Sequence, residues 1–362
     1  MVQATPPRSF ESGQPLEGGS PLSAAQSAPA PRLYHVPLSM VADPGQWPAI
    51  LDNAAGMGFD TVLISPPTEP GPSGNLLLPF GFERAHPALG HELEGSVAGV
   101  ARQARDRGLA LMADLVIDRV AADGPLLHDI GLTVGRGADA LDPRVPPTAR
   151  KSATVPFAEG DSRAADRFAA YVGVLARAGV TGFRCLAPAA VPPEVWMRLK
   201  AAAPQARFLA WMPGAPAGAA AALARAGFDG AFSSLRWWDC HAGWVVDDAE
   251  RLRGFGGAIA FPEAPFDTRL AQSLDSDRIT ERRSERALWV AAALGDGLMI
   301  PMGFEYGARE PVPAVGAARE TFAVLKGHPH FDLGPAIRAA NAFVAREGGR
   351  FAGGTLRVVA AA

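Results

Sequence analysis

Two cysteines in 362 residues, Cys185 and Cys240, are too few and too far apart for a disulfide framework or a zinc site. Free thiols in a reducing cytoplasm are the expectation. No apolar run approaches the ~20 residues that a membrane-crossing helix needs. Basic charge is not in surplus either: 34 Lys and Arg stand against 37 Asp and Glu, a net charge of -3, so the cationic face that nucleic-acid binding requires is missing. His and Cys nowhere cluster at metal-ligand spacing, and scattered acids do not define a calcium site. No metal or other cofactor is expected.

What is present suits a large soluble core. Hydrophobic residues make up 48% of the chain, and its length accommodates either two average domains or one α/β barrel of about 250 residues with extensions. Residues 1–31 are rich in Pro, Ser, Gly, Ala and Gln without hydrophobic periodicity, which predicts a disordered tail or linker. From Arg32 onward a short apolar strand, an amphipathic helix and a glycine turn alternate, the pattern of parallel βα units. Eight strands are predicted, over 33–38, 61–65, 110–117, 182–186, 207–211, 230–234, 258–261 and 297–301. Helices are predicted over 47–57, 96–107, 163–178, 194–202 and 335–346. Gly58, Gly108 and Gly179 close the first three, where a left-handed cap residue is wanted. Eight strands with intervening helices predict a closed (β/α)8 TIM barrel over residues 32–345, with an open doubly wound sheet as the alternative. Segments 66–95 and 118–161 are long for βα loops and are candidate site-building excursions. Residues 346–362 form a short extension, too short for a separate C-terminal β-domain.

In a barrel, chemistry belongs at the C-terminal ends of the strands. Strand 3 carries Asp114 inside an apolar stretch and strand 4 carries Arg184. Each charge needs a partner when buried, and the two are natural partners, either as an internal ion pair or facing a ligand. Strand 6 runs into Trp237-Trp238-Asp239, where rings can stack on the apolar face of a sugar while the carboxylate binds its rim. Packing of the following helix is the plainer role for any one of those rings. Strands 7 and 8 are followed by Glu263, Asp267 and Glu305.

The order of these segments resembles the α-amylase superfamily of retaining glycoside hydrolases and transglycosylases. Within it the chain looks most like bacterial maltosyltransferases that extend α-1,4-glucan from maltose 1-phosphate, as a divergent copy of that barrel. The resemblance rests on Ala113-Asp114-Leu115-Val116-Ile117-Asp118-Arg119, Gly182-Phe183-Arg184, His86-Pro87-Ala88-Leu89-Gly90 and Pro301-Met302-Gly303-Phe304-Glu305-Tyr306-Gly307. It implies an α-1,4-glucan or maltosyl ligand, glycogen-type metabolism, and an active maltosyltransferase as a protein partner. The same alignment places Leu186 where the family has its nucleophilic Asp and Trp211 where it has its acid/base Glu. The family's Asn-His at strand 3 becomes Asp118-Arg119, and its Asn-His-Asp at strand 7 becomes Pro265-Phe266-Asp267 if one gap is allowed. A retaining mechanism needs two facing carboxylates, roughly 5 Å apart. Leucine cannot attack an anomeric carbon and tryptophan cannot protonate a leaving group, so the resemblance implies a pseudoenzyme with no catalytic residues. Its retained ligand contacts would be Asp114, Arg184, Trp237, Trp238, Asp239, Glu263, Asp267 and Glu305. Two alternatives stand beside it: an active transferase or hydrolase using Glu263, Asp267 or Glu305 as substitute acids, and a purely structural interaction module.

Overall fold

The computed structural model describes residues 31–131, 152–157, 162–216, 218–272 and 275–351. Residues 1–30 of the segment expected as a tail (1–31) lie outside the described residues, as does the apolar run 355–361 of the expected C-terminal extension. The remaining chain closes into a barrel. Its strands are β1 (Arg32–Val36), β2 (Thr61–Ile64), β3 (Ala110–Leu115), β6 (Val180–Cys185), β7 (Arg207–Trp211), β8 (Gly230–Phe232), β9 (Ala258–Ala260) and β10 (Gly297–Pro301). All neighbouring pairs are parallel. β1 pairs with both β2 and β10, from Arg32 opposite Leu298 to His35 opposite Pro301, which closes the ring and excludes the open sheet.

The helices follow the strands in turn: α1 (Trp47–Gly56), α2 (Leu93–Arg105), α3 (Pro125–Asp129), α4 (Arg163–Arg177), α5 (Pro193–Ala202), α6 (Ala219–Arg225), α7 (Trp244–Leu252), α8 (Asp277–Leu294), α9 (Phe322–Gly327) and α10 (Gly334–Phe351). α4 shows why they lie against the sheet. Phe168, Tyr171, Val172 and Leu175 recur at helical spacing and are all buried, while the charged residues take the other face. The predicted cap glycines sit where helices must turn back into strands: Gly58, Gly108 and Gly179 have φ of 81°, 72° and 97°. The excursion after β3 forms a two-stranded antiparallel sheet of β4 (Arg119–Ala121) and β5 (Ser152–Thr154) beside the barrel mouth.

Strand residues alternate between two cores. Tyr34, Val36, Val62, Ile64, Phe183 and Phe208 point out and pack with the helices. Leu33, Leu63, Met112, Leu209, Phe232, Ile259 and Met299 point in and fill the barrel. One layer further toward the C-terminal ends, the inward positions become polar: His35, Asp114 and Arg184 are buried side by side on this apolar floor. The site is built on that layer. Among the described residues, no helix is long and apolar enough to cross a membrane.

Candidate functional site at the barrel mouth

Asp114 and Arg184 sit opposite each other in the β3–β6 register. The guanidinium meets the carboxylate with two parallel bonds, Nε to Oδ1 and Nη2 to Oδ2, each 2.6 Å. Neither side chain reaches solvent appreciably. Burial pushes the Asp114 carboxyl upward, but the Arg184 charge and the hydrogen bonds from His35 and Arg184 outweigh it and leave it below the usual range. His35 completes the group, with Nε2 3.0 Å from Arg184 Nη2 and 3.5 Å from Asp114 Oδ2. Burial, reinforced by the Arg184 charge, holds its pKa down to about 4, so the ring is neutral at pH 7. The expected pairing is present and it is internal.

Above this layer lies a cavity of about 290 Å³, lined by Leu77, Val116, Asp118, Arg119, Arg184, Leu186, Ala187, Trp211, Pro265 and Phe266. Leu186 and Trp211 are part of the wall of the mouth. The Trp211 ring lies over the Arg184 guanidinium at 5.1 Å and stacks on Phe261 at 5.1 Å, with 20° between the ring planes. Phe266 faces His35 edge-on at 5.9 Å. Two of the lining residues, Ala187 and Phe266, hold left-handed backbone at φ 45° and 60°. Non-glycine residues carry strain in that region, and such strain collects at functional sites. Asp118 is buried at the mouth. Its Oδ2 pairs with the half-exposed Arg119, whereas Oδ1 has no hydrogen-bond partner.

The other residues singled out from sequence are dispersed. Trp237 is 46% exposed at the rim and sets its ring edge-on to Phe261 at 5.9 Å, extending the aromatic run from Trp211 outward. Trp238 donates its indole N–H to the Ala242 carbonyl at 2.8 Å and packs on the core. Asp239 accepts from the Ala242 and His241 backbone N–H groups, which hold its carboxyl below the ordinary range and spend it on its own turn. Asp267 is exposed and accepts from the Thr268 N–H. Glu263 is buried, with Oε1 on Arg269 and Oε2 accepting from the Leu270 N–H. None of these five lines the cavity.

Glu305 turns away from the mouth. It lines a second cavity of about 380 Å³ bordered by α1, α9 and the start of α10. There Oε1 accepts from Tyr34 Oη and, at 3.5 Å, from Asn53 Nδ2, while Oε2 accepts from the Gly303 N–H. Burial raises its pKa to about 7 against these hydrogen bonds. That gives a pH prediction. An acid held more tightly by the folded chain loses it stability as pH rises from the ordinary 4.5 to 7. At about 1.4 kcal/mol per pH unit, wild type should lose on the order of 3 kcal/mol relative to Glu305→Gln across that window. His35 works oppositely, since acidification from 6.5 to 4 charges it first in the unfolded chain. His86, lowered to about 4 by burial, adds to this. Denaturant titrations at pH 5 and 8 should show wild type about 1–2 kcal/mol weaker in acid and the Gln variant weaker by about 4 kcal/mol; parallel profiles would refute the assignment.

A closed eight-stranded parallel barrel with its cavity at the C-terminal ends, carrying Asp114 on β3 and Arg184 on β6, is a (β/α)8 barrel, and its fold is that of solved α-amylases. The solved α-amylase of Lactobacillus plantarum superposes with a TM-score of 0.66 at 16% identity, over 87% of this chain and 80% of that one. The Geobacillus thermoleovorans α-amylase complexed with acarbose gives 0.64 at 14% identity, over 87% and 78%. In sequence, the chain is similar to an alpha-1,4-glucan:maltose-1-phosphate maltosyltransferase of Burkholderia pseudomallei (strain K96243), 37% identical over 326 residues. That match takes in 86% of this chain but spans only 29% of the relative's length. No protein-family model matches the chain.

Asp118, Arg119, Leu186, Trp211 and Phe266, all departures from the family pattern, line the cavity although none is among the expected ligand contacts. Their position at or after the C-terminal ends of the strands was the available signal.

Proposed function

We propose that this barrel is a non-catalytic α-glucan-binding domain, a maltosyltransferase-like pseudoenzyme of cytoplasmic glycogen-type metabolism that docks onto an active maltosyltransferase. The observation that carries the reading is the lining of the mouth. Among the described residues around the cavity the one carboxylate is Asp118, while Leu186 and Trp211, which the resemblance aligns with the nucleophile and the acid, also line it. A two-carboxylate mechanism has no second member there. The substitute acids offer little support for turnover: Glu263 is committed to Arg269, Asp267 to its own loop, and Glu305 to Tyr34 on the outer side of the sheet. The similarity to a protein named for α-1,4-glucan and maltose 1-phosphate supports the ligand class. The partly exposed rings of Trp237 and Trp211, bridged beneath by buried Phe261, support a ligand with an apolar sugar face.

Calorimetric titration with maltoheptaose is expected to show binding, with no product released on prolonged incubation with maltoheptaose or with maltose 1-phosphate plus acceptor. Trp237→Ala should weaken binding about tenfold and lower the melting temperature only slightly, because almost half of the residue already faces solvent. Turnover by the wild-type chain would overturn the non-catalytic reading, and absence of any glucan binding would overturn the ligand.

A further inference from the structure

Among the described residues that line the cavity, one buried polar atom is unanswered. Asp118 is 5% exposed. Its backbone carbonyl accepts from the Val155 N–H at 2.9 Å, fixing the residue against the excursion. Its Oδ2 receives Arg119 at 2.8 Å from Nε and 2.7 Å from Nη2. Oδ1 is buried without a donor, in a side chain that lines the cavity. A buried carboxylate oxygen in that state is a strong acceptor for any donor that enters, because leaving it unmet costs more than the bond itself yields. The other wall is apolar, made by Trp211, Leu186, Ala187 and Phe266. One acceptor opposite rings and aliphatic carbons suits a flat, hydroxyl-bearing ring. About 290 Å³ is at the low end of ligand pockets, enough for a ring rather than a chain.

The charges decide what that ring may carry. Among the described residues two guanidiniums border the cavity, and both already face carboxylates, Arg184 on Asp114 and Arg119 on Asp118. A phosphate entering here meets the open Asp118 oxygen in a poorly solvated space, where like charges repel strongly.

We infer that Asp118 is the specificity-determining acceptor of the mouth, taking a hydroxyl hydrogen of an uncharged glucosyl ring, and that the cavity thereby selects neutral glucan over a glycosyl phosphate. This rests on the glucan-binding reading above. It sets the site apart from the sugar-phosphate chemistry in the relative's name.

The test is calorimetry on the full chain with maltotriose and, separately, maltose 1-phosphate at equal ionic strength. Maltotriose should bind at least tenfold more tightly. Asp118→Ala should weaken maltotriose 10- to 100-fold, and Asp118→Asn, which removes the charge at the same shape, should narrow the preference for the neutral ligand by about tenfold. Melting temperatures should hold, since among the described residues the only side-chain partner lost is half-exposed Arg119. Equal or tighter binding of maltose 1-phosphate by wild type, or a preference unchanged in both variants, overturns this inference and leaves glucan binding standing. Failure of both ligands to bind overturns the two together.

Discussion

Asp114→Ala is expected to lower the unfolding free energy by about 3–5 kcal/mol and to lower the melting temperature by roughly 10 °C for a barrel of this size. The reason lies in what remains. Arg184 would keep its charge on a floor of Met299 and Phe232, with a neutral His35 at 3.0 Å and Trp211 overhead as its nearest company. Neither a thioether nor a ring face replaces a bidentate carboxylate. Removing both charges should cost far less than removing one, because a buried pair contributes little net stability while a buried single charge is expensive. Asp114→Ala combined with Arg184→Met should therefore recover much of the loss, and denaturant midpoints of the four proteins in the cycle would show it. A single-variant cost below about 1 kcal/mol would mean that water reaches the pair and that the layer beneath the mouth is not closed.

That pair was legible in the sequence because its constraint is local to two strands. An acid inside 110–117 and a base inside 182–186 had to meet if the strands were neighbours, and the register places them opposite each other. The strands were legible for the same reason, as short apolar runs bounded by glycine turns. α8 was not delineated from sequence. Its buried stripe is Thr280, Ser284, Leu288, Ala291 and Ala292, at helical spacing but mostly too small or too polar to show as a hydrophobic period. Glu305 was harder still. It follows β10 like a mouth residue, but Gly303 and Gly307, at φ 95° and 69°, bracket a single 3-10 turn that aims the side chain back between Tyr34 and Asn53. Where an acid follows a strand, the direction it faces depends on turn geometry that the order of residues does not display. Phe266 belongs to the same class, since its left-handed backbone puts a ring into the mouth beside Asp267, which stays outside.

Glu263→Ala is the other large effect expected, again about 3–5 kcal/mol, and it separates a structural acid from a catalytic one. Arg269, 5% exposed, is held by Glu263 on one side and donates to the Met302 carbonyl at 2.9 Å and the Glu310 carbonyl at 3.3 Å on the other. One guanidinium thus ties the segment after β9 to the segment after β10. Glu263 adds a second tie through the Leu270 N–H at 2.7 Å. Without the carboxylate, a buried cation is left with two neutral carbonyls and the segment carrying Pro265 and Phe266 loses its anchor, so the cavity wall should loosen with it. Both stability and glucan affinity should fall in the alanine variant. Glu263→Gln keeps an acceptor for Arg269 but not the charge, and should lie between. If Glu263 were instead a substitute catalytic acid, the Gln variant would melt like wild type while abolishing a measurable turnover. Melting curves and product assays on the same two variants discriminate, because a tie between loops moves the first and a reacting acid moves the second.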